Sequence, residues 1–215
     1  MFPPAADSTT TADRAASGNR DHERGPGANM KIVLHTCCAP CLAATLPAFA
    51  EMGEVRPFFY NPNIHPLLEF RKRLKALDVF ADREALGVEA DREYGLRRFL
   101  ALVPPDGAGR CAVCYRERLG RTARRAAEAG ADAFSTTMVA STHQDHDAIR
   151  RAGEEAAAEA QVRFLYKDLR VRAADGHAIA KKMALYRQQY CGCVFSECER
   201  YKDTDTEIYR AARDR

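Results

Sequence analysis

The chain has 215 residues, 46% hydrophobic and 29% charged, with a formal charge of +3. That length allows one domain whose core is large enough to stand without disulfide staples. No run approaches the ~18 apolar residues of a helical membrane span, and the mild net charge alone selects no partner. Eight cysteines are many for such a chain. The N-terminus has no apolar segment of the kind a signal peptide needs. A secreted disulfide scaffold is therefore not supported. In a reducing cytoplasm, clustered thiols bind metal or do catalysis.

Residues 1–29 hold almost no large apolar side chain and read as a disordered leader. Met30 then reads as the working start, the other reading being a flexible arm. Residues 30–200 form the expected single α/β domain, and 201–215 a charged tail. The first strand is Lys31–Leu34, followed by His35-Thr36-Cys37-Cys38-Ala39-Pro40-Cys41 and a helix over Leu42–Met52. Strand two is Val55–Tyr60, leading into Asn61-Pro62-Asn63-Ile64-His65-Pro66. Phe70, Leu74, Leu77 and Phe80 recur at helical spacing and predict a helix from Leu67 to about Leu86, ended by Gly87. A weak strand at Val88 and a short helix over Gly95–Leu102 precede Pro104-Pro105.

Cys111 opens a helix to Ala129, capped by Gly130. Strand four is Ala133–Val139, and a helix covers Asp145–Ala160, its acidic start suited to a helix N-terminus. Strand five is Val162–Tyr166. A last helix over Ala178–Gln189 delivers Tyr190-Cys191-Gly192-Cys193. Strands alternating with helices predict a five-stranded parallel sheet flanked by helices.

Three cysteine groups therefore stand at element ends: Cys37/Cys38/Cys41, Cys111/Cys114 and Cys191/Cys193. Chemistry in such sheets sits at the carboxyl ends of strands, where all three groups can meet. One zinc ion or one four-iron cluster takes four ligands, so seven thiols leave three for a second metal or for redox work. A structural zinc site on the Cys111 and Cys191 groups is the alternative. Adjacent loop side chains diverge, so Cys37 and Cys38 suit two centres better than one. Cys198 lies outside the groups and reads as a free or partly buried thiol. The loop after strand one has no glycine-rich phosphate cradle, so ATP and NAD sites are not supported. Arginines between Arg110 and Arg125, with Arg170, Arg172, Lys181, Lys182 and Arg187, suit a phosphate-rich substrate such as RNA, or else form a solvated, ion-paired helix face. Phe58, Phe59, Tyr60, Tyr115, Tyr186 and Tyr190 stack a flipped base or fill the core.

His35 to Cys41, Phe58 to Pro66, Arg110 to Tyr115, Phe134-Ser135-Thr136-Thr137 and Tyr186 to Cys193 together resemble the epoxyqueuosine reductase family of the QueH type. The resemblance spans Met30 to about Arg200, and departs at Thr142-His143, where a Pro is expected after the serine. It implies a fold like the adenine nucleotide α-hydrolase (HUP) sheet sandwich, with cysteines in place of the ATP loop. It implies reduction of the epoxide of epoxyqueuosine to queuosine at the wobble base of tRNAs with GUN anticodons, those for Asp, Asn, His and Tyr. The implied cofactors are a [4Fe–4S] cluster and a second iron, without cobalamin. The metal-bearing positions fall on Cys37, Cys38, Cys41, Cys111, Cys114, Cys191 and Cys193. Reduction needs two electrons, supplied by a donor such as ferredoxin or flavodoxin, an oxygen acceptor and a proton. Tyr60, His65, His143 and Asp168 are the proton-donor candidates, and Asn61, Asn63, Arg110 and Arg187 the substrate-binding ones. A zinc-stabilised RNA-binding module without turnover, or a thiol-based tRNA sulfur transferase using ATP, are the alternative functions.

Overall fold

A computed structural model describes residues 30–203; the leader and residues 204–215 of the tail lie outside the described residues. Five parallel strands form one sheet in the order β3-β2-β1-β4-β5. The strands are β1 (Met30–His35), β2 (Gly53–Phe59), β3 (Glu89–Ala90), β4 (Ala133–Thr136) and β5 (Arg163–Phe164). The helices are α1 (Ala39–Ala50), α2 (Leu67–Arg83), α3 (Leu96–Leu102), α4 (Arg110–Glu128), α5 (His146–Ala160), α6 (Ala173–Lys182) and α7 (Val194–Tyr201). This is the expected α/β sheet flanked by helices. The chain direction across the sheet reverses between β1 and β4, which makes their carboxyl ends the place for a site.

β1 is central because Ile32, Val33 and Leu34 are apolar on both faces and all buried, as a strand covered by helices requires. Alternation then divides two cores. Leu34 and Phe59 join the core under α1 and α2, while Val33 and Phe58 join the core under α4 and α5. On α2, Phe70, Leu74, Leu77 and Phe80 are buried at the expected spacing. Each such side chain contributes about 1.5–3 kcal/mol by leaving water. Asp145 caps α5 by accepting from the Ala148 amide at 2.9 Å. Gly130, at φ 59°, closes α4 in the left-handed conformation.

Four expectations are corrected. α2 ends at Arg83 and not near Gly87, because Ala85 takes φ 52° and turns the Leu86 amide back to the Ala81 carbonyl at 2.9 Å. β4 stops at Thr136, and Thr137–Ala140 coil into a 3₁₀ turn begun by the Thr136 hydroxyl accepting from the Met138 amide. The helix expected over Ala178–Gln189 runs from Ala173 to Lys182. Gly176, which reads as a breaker, is helical because α6 lies so close to α1 that a Cβ there would sit 2.2 Å from the Pro40 carbonyl oxygen. Residues 183–193 are thus an irregular segment, and a further helix, α7, follows at Val194–Tyr201, where no element was expected.

His35 and His65 are buried and neutral. Burial lowers them to about 3 and about 4, from an ordinary 6.5. Below pH 6.5 the unfolded chain takes up protons that the native fold refuses, so stability falls as pH drops from 6.5 toward 4. The urea midpoint of metal-free protein should decline steadily over that window; a flat profile would contradict the burial of neutral imidazoles. Ala85 holds a conformation that glycine adopts without strain, so Ala85→Gly should raise stability by about 0.4–1 kcal/mol in the same assay.

Candidate metal centre

The N-termini of α1, α4 and α7 all carry cysteines, and each helix start offers unpaired amides and a partial positive charge to thiolates. Cys37, Cys41, Cys111, Cys191 and Cys193 line one cleft of about 810 Å³. Cys38 and Cys114 are buried beside their partners.

The first group stands on α1. Cys38 is its N-cap, in extended backbone, and its Sγ accepts from the Cys41 amide at 3.4 Å. This seats Cys38 over the first helical turn. Cys37 Sγ lies 3.8 Å from Cys38 Sγ, and all three sulfurs lie within 4.8 Å of one another. The expected divergence of the adjacent pair is therefore wrong: the cap folds both thiols onto one point. A tetrahedral ion with metal–sulfur bonds of ~2.3 Å spaces its sulfurs ~3.8 Å apart. The trio has the spacing of a single ion's ligands. Hydrogen bonds from Cys38 and Cys41 hold the Cys37 thiol well below its usual range, helped by Arg118 and Thr137. Burial pushes Cys38 up, and bonding to Cys37 and Cys38 pushes Cys41 up. Gln188 Nε2 donates to Cys38 Sγ at 3.0 Å, and its Oε1 is buried without a partner.

The second group joins α4 to the segment before α7. Cys193 caps α7, accepting from the Ser196 amide at 3.4 Å. Cys114 and Cys193 share a small apolar cluster with Phe99 and Val103. Burial raises Cys111 and Cys114, the latter to about 12, and the nearby Cys191 and Cys193 add to the rise. Cys111 and Cys114, held out of water beside Cys191 and Cys193, suit a multinuclear group that takes up thiolate charge. The segment carrying Cys191 and Cys193 is pinned by Arg73, whose guanidinium donates to the carbonyls of Cys191 and Tyr190, both at 2.8 Å. Glu69 holds Arg73 in turn at 2.6 Å, and the Tyr190 hydroxyl donates to the His65 carbonyl at 2.5 Å.

Arg118 stands between the two groups and is 2% exposed. It donates to Asn61 Oδ1 at 3.0 Å, to Cys114 Sγ at 3.7 Å and to His35 Nε2 at 3.2 Å. Arginine only donates, so His35 carries its proton on Nδ1 and gives it to Thr136 Oγ1 at 2.9 Å. The 3.2 Å approach of Nε2 to the Tyr60 carbonyl is then a contact of two acceptors, not a bond.

Several expected site residues lie elsewhere. The Tyr60 hydroxyl is committed to Glu117 at 2.5 Å, and Asp168 is an exposed partner of Arg170. His65 is wholly buried under the loop, bonded to the Pro62 carbonyl. None of the three lines the cleft, whereas His143 does. Asn61 and Asn63 are buried supports; Asn61 bridges Arg118 and the Thr36 carbonyl. Arg110 lines the cleft, paired with Glu199 at 2.5 Å; Arg187 is exposed and outside the lining. Cys198 is an exposed free thiol. Arg121 and Arg125 pair with Glu128 and Glu89, so part of the basic run is an ion-paired face. Sequence reasoning counted Arg118 among surface cations and passed over Arg73, Gln144, Gln188 and Thr137. The one available signal was Glu69 and Arg73, four residues apart on the apolar stripe of α2.

The family profile "Epoxyqueuosine reductase QueH" matches residues 32–199. A relative of that name from Dehalococcoides mccartyi is 41% identical over 172 residues, covering 80% of this chain and 94% of its own. Another from Thermotoga maritima is 36% identical over 189 residues, covering 83% and 96%. Among solved structures, a U34-tRNA thiolase NcsA from Methanococcus maripaludis with its [4Fe-4S] cluster aligns over 75% of this chain and 59% of its own, at TM-score 0.47 and 13% identity, too distant to bear on chemistry. By profile and by relatives alike, the chain belongs to the epoxyqueuosine reductase QueH family.

Proposed function

We propose that this oxidoreductase reduces epoxyqueuosine to queuosine in tRNA, with a [4Fe–4S] cluster on Cys111, Cys114, Cys191 and Cys193 and a second iron on Cys37, Cys38 and Cys41. The observation that carries it is the gathering of three cysteine groups at one cleft, five thiols on its lining and Cys38 and Cys114 buried beside them, with Cys37, Cys38 and Cys41 as a compact trio. The donor set fits iron. Four thiolates complete a cluster, and three leave an ion one open position. When bound, the cluster would supply electrons singly and the second iron a Lewis-acid position. Opening the epoxide to an alkene breaks two C–O bonds, consumes two electrons and two protons, and releases water.

This chain's residues do the rest. The cleft volume, about 810 Å³, falls in the range that encloses a single small ligand and so admits one extruded nucleoside. Arg110 and Arg200 at its edge suit the phosphates flanking that nucleoside, and the Tyr190 ring offers a stacking face. His143, on the cleft wall after β4, carries the proton to the departing oxygen, in place of Tyr60, His65 and Asp168. The substrate tRNAs are those with GUN anticodons, for Asp, Asn, His and Tyr. Electrons come from a carrier such as ferredoxin or flavodoxin, and the setting is the cytoplasm. No helix among the described residues is long and apolar enough to cross a membrane.

Anaerobic reconstitution should give a brown protein that converts epoxyqueuosine-containing tRNA without ATP. Colourless protein with stoichiometric zinc, or an ATP requirement, would reject the reading. Serine at Cys111 or Cys191 should remove both the visible band and turnover. Serine at Cys38 or Cys41 should keep the band, lose about one iron per chain and also stop turnover. Equal loss of the band in all four variants would refute the division into quartet and trio. His143→Gln should lower kcat ~100-fold or more, as loss of a general acid does, with Asp168→Asn near wild type. The reverse ranking would return the proton to Asp168.

A further inference from the structure

Arg118 is a fully buried cation, yet no carboxylate among the described residues lies within ion-pair distance of it. That sets it apart from Arg73, the other buried arginine of the cleft, which is neutralised by Glu69. A charge left alone in the interior is strongly unfavourable, so its counter-charge has to be found among what surrounds it. Its hydrogen-bond partners are a neutral imidazole, an amide oxygen and one sulfur. Its one sulfur contact is Cys114 of the quartet, and it lines the cleft together with Cys191 of the quartet and Cys37 of the trio, so the counter-charge within reach is thiolate sulfur, present once those thiols ionise on binding metal. Its side chain is held on all three nitrogens, Nε by His35, Nη1 by Cys114 and Nη2 by Asn61, so it cannot swing out to solvent.

From this we infer that Arg118 is a redox-tuning residue shared by both metal groups: its fixed positive charge raises the reduction potential of the quartet's cluster and couples that cluster to the trio. The inference rests on the reading of the two groups given above. Cluster potential follows net charge and hydrogen bonds to sulfur, and Arg118 supplies both at Cys114. An added electron on either centre is stabilised by the same cation. The trio and quartet are therefore linked through it, and each centre's charge alters what the other experiences. Because the guanidinium is out of water, salt screens this effect little.

The test compares wild type, Arg118→Lys, Arg118→Met and Arg118→Gln, each reconstituted anaerobically, by spectroelectrochemical titration of the visible band. The neutral variants should titrate at a more negative midpoint potential than wild type, while Arg118→Lys, which keeps the charge, stays near wild type. If Met and Gln fail to take up iron while Lys does, the charge requirement is supported in another form. Neutral variants that load normally and titrate with the wild type overturn the inference, as does a Lys variant that shifts, or loses iron, as fully as Met. Wild-type protein that forms no cluster defeats instead the assignment of the metals, which separates the two failures.

Discussion

Thiols gathered at one cleft, five on its lining and two buried beside them, must stay protonated or have their negative charge balanced, and the surroundings answer to that constraint. Thiols in a dry environment refuse ionisation, as burial alone shows for Cys38 and Cys114. The fold counters this with three helix starts and two buried arginines. Within the trio, Cys38 and Cys41, with Arg118 and Thr137, draw the Cys37 thiol below its usual range. A bound cation would supply a stronger positive centre to the same three sulfurs.

The two thiol groups differ in how they are held. Cys37 and its neighbours follow the central strand and begin a helix buried against the sheet, so their position is set by the deepest packing in the molecule. Cys191 and Cys193 sit on an irregular segment held by a few long-range hydrogen bonds from Arg73 and from the backbone of His65. Asn61, Asn63 and His65, which stand out in the sequence as candidates for chemistry, belong to this scaffolding. These three are buried, whereas His143, Gln144 and Gln188 stand on the cleft wall.

Much of the architecture was legible because its causes are local. The Ile32-Val33-Leu34 run and the row from Phe70 to Phe80 announce a central strand and an amphipathic helix through spacing alone. The thiols were legible as a site because so many cysteines at element ends have few other uses. What escaped reading depends on distant partners. The clamp on Cys191 joins residues 118 positions apart. Arg118 looks like any other arginine of a basic helix until the packing of α4 on the sheet is known. α7 is short and begins on Cys193, so neither length nor composition marks it.

α6 meets α1 at a place where backbone touches backbone, with Gly176 against the carbonyl of Pro40. Pro40 belongs to the turn between Cys38 and Cys41, and the next residue along α6, His177, faces the cleft. One turn of helix is thus both the rear wall against which the sulfur turn is seated and part of the lining of the cleft. Whatever displaces that helix alters ligand spacing and entrance width together, so these two properties of the enzyme cannot drift apart independently.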